Sequence, residues 1–297
     1  MAYKGDTDAK KWARLEAYLT ALEVLGSKRF RAGLHLCLAG PTASDASVLA
    51  GLGVPVGQVV AVERDAETAA AARSRFPDLR VVQRDVLDHL SAERRYDTVN
   101  LDFCAQLLES NLNTVALAVT EGVKRDGVLA VTLLAGREQE AHSADIFDAV
   151  GRVSAQMQRA FKAMTRERRE YWKPMLPALS RFWVLQHELV TRTRGSGRVP
   201  VPLALYFYRS RHEGEQKGMP MCVYVAQVKW CPRTSGDAEL SAMLAREPEF
   251  YFIDPTSVVL GRRAQQLERE GYDPCLLFDV TKRGLAAWKA HATRRDG

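Results

Sequence analysis

Apolar positions recur every three to four residues over 9–31. Trp12, Leu15, Leu19, Leu22 and Leu25 share one side of a helix that closes near Gly26. The period then shortens. Leu34 to Leu38 form an apolar strand broken by Gly40-Pro41, Asp45 to Leu52 read as a helix before the Gly53-Val54-Pro55 turn, and Val59 to Val62 read as a second strand. The same unit returns with a helix at Ala66–Arg75, a strand at Leu79–Val82, a short helix at Val86–Ala92, a strand at Thr98–Leu101, a helix at Leu107–Glu121 and a strand at Gly127–Leu134. Strands that alternate with helices at this spacing predict a parallel sheet covered on both faces.

Beyond residue 137 the alternation stops. Long helical stretches at 143–169 and 175–193 flank Trp172-Lys173-Pro174, and a Gly/Ser/Arg turn at 194–198 follows. Two runs of strand formers, Val201–Tyr208 and Met221–Trp230, are joined by the charged loop 211–218 and read as an antiparallel hairpin. The last sixty residues carry helical runs at 237–246 and 256–270, a strand-like Cys275–Val280, Thr281-Lys282-Arg283-Gly284 and a final helix. That order is reminiscent of winged-helix domains, but the segment is close to neutral. A packing or dimerisation module is therefore expected ahead of DNA binding, and a homodimer is the partner it would imply. The expected division is an N-terminal helix (1–32), a main α/β domain (33–234) and a small α+β appendage (235–297).

Composition supports a folded chain. With 46% hydrophobic and 26% charged residues, 297 residues bury the core of one large domain or of a domain with a small addition. The polar start, MAYKGDTDAKKW, has no apolar signal region, and no stretch approaches the roughly 18 apolar residues needed to span a bilayer, so a soluble, cytoplasmic protein without a membrane partner is expected. Five scattered cysteines without C-x-x-C, and six histidines without H-x-x-x-H, predict neither a disulfide framework nor a metal site.

Charge becomes informative when divided along the chain. Residues 1–150 hold 17 Lys+Arg against 21 Asp+Glu, residues 151–234 hold 16 against 5, and residues 235–297 hold 9 against 10. The middle segment could meet a polyanion if its charges share one face, or it could be a solvated helix surface.

The strand at Leu36-Cys37-Leu38, the turn Ala39-Gly40-Pro41-Thr42-Ala43-Ser44 and the acid-tipped strand Val59-Val60-Ala61-Val62-Glu63 carry a resemblance. Over about residues 30–230 the chain resembles the class I S-adenosylmethionine-dependent methyltransferases. Their Rossmann-like seven-stranded sheet, with helices on both faces, ends in a reversed strand hairpin. The resemblance implies S-adenosylmethionine as cofactor, with Ala39, Gly40 and Pro41 at the glycine turn, Glu63 and Arg64 at the ribose, and Asp85 and Val86 at the adenine edge. Gly40 would let the backbone approach a ligand closely. The match is partial: the family's acid before the glycine is Leu38 here, and its later glycines are Thr42 and Ser44. Asp65 and Asp85 also suit the caps of the helices that follow them.

At the fourth strand, Asp102-Phe103 stands where methyltransferases acting on exocyclic amines place an acid and a stacking ring, so these two are the catalytic candidates. The family's paired prolines are absent. Cys104 invites comparison with cytosine-C5 enzymes, but no proline precedes it and a structural thiol is the commoner reading. For substrate, Arg166, Arg169, Arg209, Arg211 and Lys217 are the candidates, with Arg168, Lys173, Arg181, Arg192, Arg194 and Arg198 in the same basic segment and Tyr171 and Trp172 interleaved; arginine with aromatics suits phosphate contact and base stacking. The expected function is a methyltransferase acting on RNA or DNA. Two alternatives stand beside it: a non-catalytic scaffold or nucleic-acid-binding protein that keeps the fold, and a small-molecule methyltransferase.

Overall fold

The computed structural model describes residues 6–92, 95–105, 108–134, 166, 176–211, 218–231, 248–253 and 255–293. Its centre is an eight-stranded sheet in the order β3-β2-β1-β4-β5-β7-β6-β8. The strands are β1 (His35–Leu38), β2 (Val59–Glu63), β3 (Arg80–Gln83), β4 (Tyr96–Ala105), β5 (Val123–Leu134), β6 (Arg198–Ser210), β7 (Met219–Trp230) and β8 (Glu249–Ile253). β1 to β5 run parallel, and β7 enters antiparallel between β5 and β6. The five parallel strands and the terminal hairpin expected from the sequence are therefore present.

The strand count is eight rather than seven. The extra strand, β8, pairs in parallel with β6 from Ala204↔Glu249 to Tyr208↔Ile253. Its stacked rings, Tyr206 on Tyr251 and Phe207 on Phe252, join the edge through side chains as well as backbone. The sequence reading passed over Glu249–Ile253, a run of only five residues between two helical stretches, although Phe250, Tyr251, Phe252 and Ile253 are strand formers; pairing with β6 makes it a strand.

The helices cover both faces. α1 (Asp8–Leu25), α2 (Ser27–Ala32), α3 (Ser44–Gly51), α8 (Ser257–Arg269), α9 (Pro274–Leu277) and α10 (Lys282–Thr293) contribute to one core cluster, which α4 (Ala66–Arg75) joins through Ala72. α5 (Val86–Ala92), α6 (Glu109–Leu117) and α7 (Leu176–Thr193) contribute to the other. Strand alternation divides the side chains accordingly: Cys37, Ala61, Tyr206 and Tyr208 face the first layer, while Leu36, Val60, Val62, Leu205 and Phe207 face the second.

Local chemistry explains the helix boundaries. Thr7 caps α1 by accepting from the Lys10 amide at 3.3 Å, and Gly26, at φ 74°, ends it and turns the chain into α2. Asp65 caps α4 by accepting from the Thr68 amide at 2.8 Å, as its sequence position predicted; those amide bonds hold its carboxyl below the usual range. The strand-like reading of Cys275–Val280 is corrected. Pro274 at the first helical position and Asp273 as cap start α9 instead, and Gly284 donates to Thr281 Oγ1 at the head of α10, so no winged-helix strand forms there. α1 also buries a different stripe from the one expected: Ala9, Ala13, Ala17 and Ala21, with Arg14, Leu15 and Tyr18, are buried, whereas Trp12, Leu19, Leu22 and Leu25 are only partly so. Small residues let the helix lie close on the sheet.

Candidate functional site

β1 and β4 are neighbours, and the connection leaving β1 runs to β2 on one side while that leaving β4 runs to β5 on the other, which opens a crevice at their carboxyl ends. A cleft of about 630 Å³ occupies that position. It is lined by Leu38, Val62, Glu63, Arg64, Arg84, Asp85, Val86, Leu87, Asp88, Asp102, Phe103 and Ala105 from the strand ends and by Ser110, Asn111, Asn113 and Thr114 from α6. Six of the sequence candidates thus meet in one space: Glu63, Arg64, Asp85, Val86, Asp102 and Phe103. Ala39, Gly40 and Pro41 follow directly on Leu38 but do not line it.

Glu63 ends β2 half-buried. One carboxylate oxygen accepts from the Asp65 amide at 3.0 Å, and the other has no partner among the described residues. Its main-chain carbonyl accepts from the Arg84 amide at 3.0 Å, tying the tips of β2 and β3 together. Asp85 is exposed, with Oδ1 accepting from the Leu87 amide at 2.8 Å at the head of α5. Each acid therefore keeps acceptor capacity on the cleft.

In the turn after β1, Gly40 adopts φ 57°, which favours glycine, and a Cβ built there meets no atom within 4 Å. The glycine is required by backbone conformation, and the space beside it is open. Ala43, at φ 45°, adopts the left-handed region without being glycine. Thr42 Oγ1 and Ser44 Oγ, which stand where the family has glycines, are hydrogen-bonded to each other at 2.8 Å.

Asp102 is held by residues that the sequence reading did not single out. Lys10 Nζ lies 2.8 Å and Arg14 Nη2 3.6 Å from its Oδ2. Arg14 also reaches Asp6 at 2.6 Å and Asp45 at 3.2 Å, and Lys10 reaches Asp6 at 3.3 Å. Asp45 in turn accepts from Tyr18 at 2.8 Å and from the Asn100 amide at 2.6 Å. Burial of Arg14 opposes its charge, but Asp6, Asp45 and Asp102 outweigh it and hold the guanidinium protonated. Burial likewise raises Asp45, against the pull of Arg14. The available signal was the i,i+4 spacing of Lys10 and Arg14 on α1; Asp6 and Asp45 carried none.

The basic candidates separate. Arg166 and Arg211 are exposed, and Arg209 is half-buried and donates to the Gly218 carbonyl at 3.4 Å. Arg169 and Lys217 lie outside the described residues, as do Arg168, Tyr171, Trp172 and Lys173. Arg209 closes β6 on the same sheet edge as the cleft, but three strands from β4, roughly 14 Å at ordinary strand spacing. Two arginines of the segment serve the fold: Arg192 bridges α7 to Glu109 and Asn113 of α6 at 2.7 Å each, and Arg198 is buried, donating to the carbonyls of Thr120 (2.8 Å) and Val123.

Among the described residues, no group of three His, Cys, Asp or Glu is placed to share a metal ion, and no helix is long and apolar enough to cross a membrane.

The sheet order, the reversed hairpin and the crevice at the switch point make this a Rossmann-like α/β fold, the architecture expected from the sequence resemblance. No family model and no curated protein matches the sequence. Among solved structures, the chain is similar to a candidate RNA methyltransferase from Pyrococcus horikoshii, with TM-score 0.44 and 14% identity over 78% of this chain and 93% of that one. It is similar to the plantazolicin methyltransferase BpumL, solved with a pentazolic desmethyl analogue and S-adenosylhomocysteine, with TM-score 0.45 and 10% identity over 74% and 86%. A third is the 1,6-didemethyltoxoflavin N1-methyltransferase of Burkholderia thailandensis, with TM-score 0.40 and 15% identity over 74% and 79%.

Proposed function

We propose that this chain is an S-adenosylmethionine-dependent methyltransferase. The observation that carries the reading is that Glu63 and Asp85 line one cleft from the ends of adjacent strands, each with a carboxylate oxygen left to accept from a ligand. Two ribose hydroxyls need a charged acceptor of that kind, and an adenine amine needs a second. Glu63 would hold the ribose, Asp85 and the Val86 amide the adenine edge, and the open turn at Gly40 the remainder. When bound, the cofactor supplies a methyl group already activated on a sulfonium, so the protein's task is to orient donor and nucleophile. Phe103 and Ala105 give the cleft apolar lining from β4, while Ser110, Asn111, Asn113 and Thr114 offer neutral polar contacts from α6.

The substrate proposed is a nucleic acid. Its support is the basic middle segment, from which Arg166 and Arg211 are exposed; Arg192 and Arg198 are engaged within the fold and are withdrawn from that surface. Asp102 and Phe103 remain the proposed catalytic pair, with Asp102 acting from within its ion-pair cluster.

Calorimetry with S-adenosylmethionine, S-adenosylhomocysteine and NAD tests the donor reading. Saturable binding of the first two, lost in Glu63→Ala, is expected; no affinity for either in the intact chain would overturn it. Methyl incorporation into RNA or DNA tests the substrate. The ion pairing of Asp102 favours, as a second reading, a scaffold that keeps the fold without catalysis, for which nucleic-acid binding would survive Glu63→Ala unchanged.

A further inference from the structure

The turn after β1 is held by the far end of the chain. Ser44 Oγ donates to Asp279 Oδ2 at 2.8 Å, and Ser44 is itself hydrogen-bonded to Thr42. Asp279 sits just beyond α9 with its side chain 10% exposed, and its other oxygen is paired with Arg75 at the end of α4. The contact is part of a wider seat. Ser47 Oγ donates to the Leu276 carbonyl at 3.0 Å, and Gly51 packs so closely on Leu277 that a Cβ there would stand 2.8 Å from Cδ2. Asp279 adopts φ 49°, a conformation that L-residues seldom take, so the backbone beyond α9 is set to present this carboxylate.

The turn needs such an anchor. Ala43, the residue before α3, offers no side-chain cap, and both Gly40 and Ala43 are in left-handed conformations within four residues. Where the class I pattern has glycines, this chain has Thr42 and Ser44, and the hydroxyls lead to Asp279. Along the sheet edge, Asp85 follows β3, Glu63 ends β2 and the turn follows β1. A donor with its adenine at Asp85 and its ribose at Glu63 would extend its amino-acid end over the turn.

We infer that Asp279 is a positioning residue for donor binding: through Ser44 and Thr42 it fixes the turn that receives the amino-acid end of the cofactor. This rests on the cleft taking S-adenosylmethionine. The C-terminal segment is then part of the donor site, and Asp279 acts on the ligand only through the turn.

The test compares two ligands in the full chain. S-adenosylhomocysteine would reach from the cleft onto the turn, whereas adenosine would occupy only the Asp85–Glu63 end. Asp279→Gly keeps the backbone conformation and removes the carboxylate; it should weaken S-adenosylhomocysteine about tenfold and leave adenosine within about twofold of the parent. Asp279→Asn, which still offers an acceptor to Ser44, should fall between. Ser44→Ala cuts the same link while leaving Arg75–Asp279 intact, and should reproduce the selective loss if the glycine variant does not fold. Equal weakening of both ligands, or parent-like affinity for S-adenosylhomocysteine in Asp279→Gly and Ser44→Ala, would overturn the inference alone. If the parent chain binds neither ligand, the donor reading fails and the inference with it.

Discussion

Lys10 Nζ stands 2.8 Å from Asp102 Oδ2, so the first turns of α1 reach the tip of β4 at the margin of the cleft. Arg14, one helical turn further on, completes the connection and enters a group with three carboxylates, Asp6, Asp45 and Asp102. The N-terminal helix is therefore fastened to the site by charge as well as by the packing of its alanines.

Removing either cation should have unequal consequences. Arg14→Ala leaves Asp45 buried without its counter-charge and Asp6 with Lys10 alone, and should cost about 3–5 kcal/mol of unfolding free energy. Lys10→Ala leaves Arg14 facing all three carboxylates and should cost less, about 1–2 kcal/mol. Urea unfolding of the two variants measures the difference; equal costs would show that Arg14 is not the centre of the cluster.

Glu63→Gln should weaken donor binding by roughly 10- to 100-fold, the loss expected when a charged acceptor becomes neutral. The side chain is half-exposed and makes one hydrogen bond, so the thermal midpoint should move little. Calorimetry and a melting curve on the same preparation separate binding from folding.

His35 predicts a pH dependence. The ring is buried on β1, Nε2 donates to the Phe30 carbonyl at 2.8 Å and Nδ1 lies 2.7 Å from Thr98 Oγ1, so the neutral ring has both nitrogens partnered. Burial pushes its pKa down to about 4 from 6.5. The unfolded chain takes up the proton first as pH falls, so the stabilisation is fully present above about 6.5 and is lost toward 4, by about 3 kcal/mol in all. His35→Gln should flatten that part of the stability profile. An unchanged slope between about pH 7 and pH 4 in urea unfolding would contradict the assignment.

Two arginines of the basic segment should respond oppositely. Arg198→Ala deprives the carbonyls of Thr120 and Val123 of a buried donor and should lower stability by about 1–3 kcal/mol. Arg211→Ala, at an exposed position, should change stability by less than about 1 kcal/mol and reduce the salt dependence of nucleic-acid binding by close to one ion. Titrations at several salt concentrations, beside melting curves, check both.

Much of the architecture was legible in the chain because it is written in short-range patterns. Val59 to Val62 is an uninterrupted apolar run, and a strand buried on both faces permits little else. Asp65 and Asp85 stand one residue before their helices, where a side-chain oxygen meets an amide. Glu63 was found for the same reason, as an acid at the end of such a run. By contrast, Cys275–Val280 has strand-like composition but follows Asp273-Pro274, and helix-start chemistry prevailed over the apolar run. The charge excess at 151–234 was counted correctly, yet counting cannot separate Arg211 on the surface from Arg198 inside.

By itself, then, the sequence determined the parallel alternation, the closing hairpin, the helix caps and the acids at the strand tips, each a consequence of neighbours within a few residues. Only the tertiary structure decided that β8 extends the sheet, that Lys10 and Arg14 hold Asp102, and that Asp279 reaches Ser44 across 235 positions. The physical reason is that hydrogen bonds and ion pairs act over about 3 Å of space whatever the separation along the chain. Periodicity records which face of an element is apolar, and it is silent on which distant polar group that face will meet.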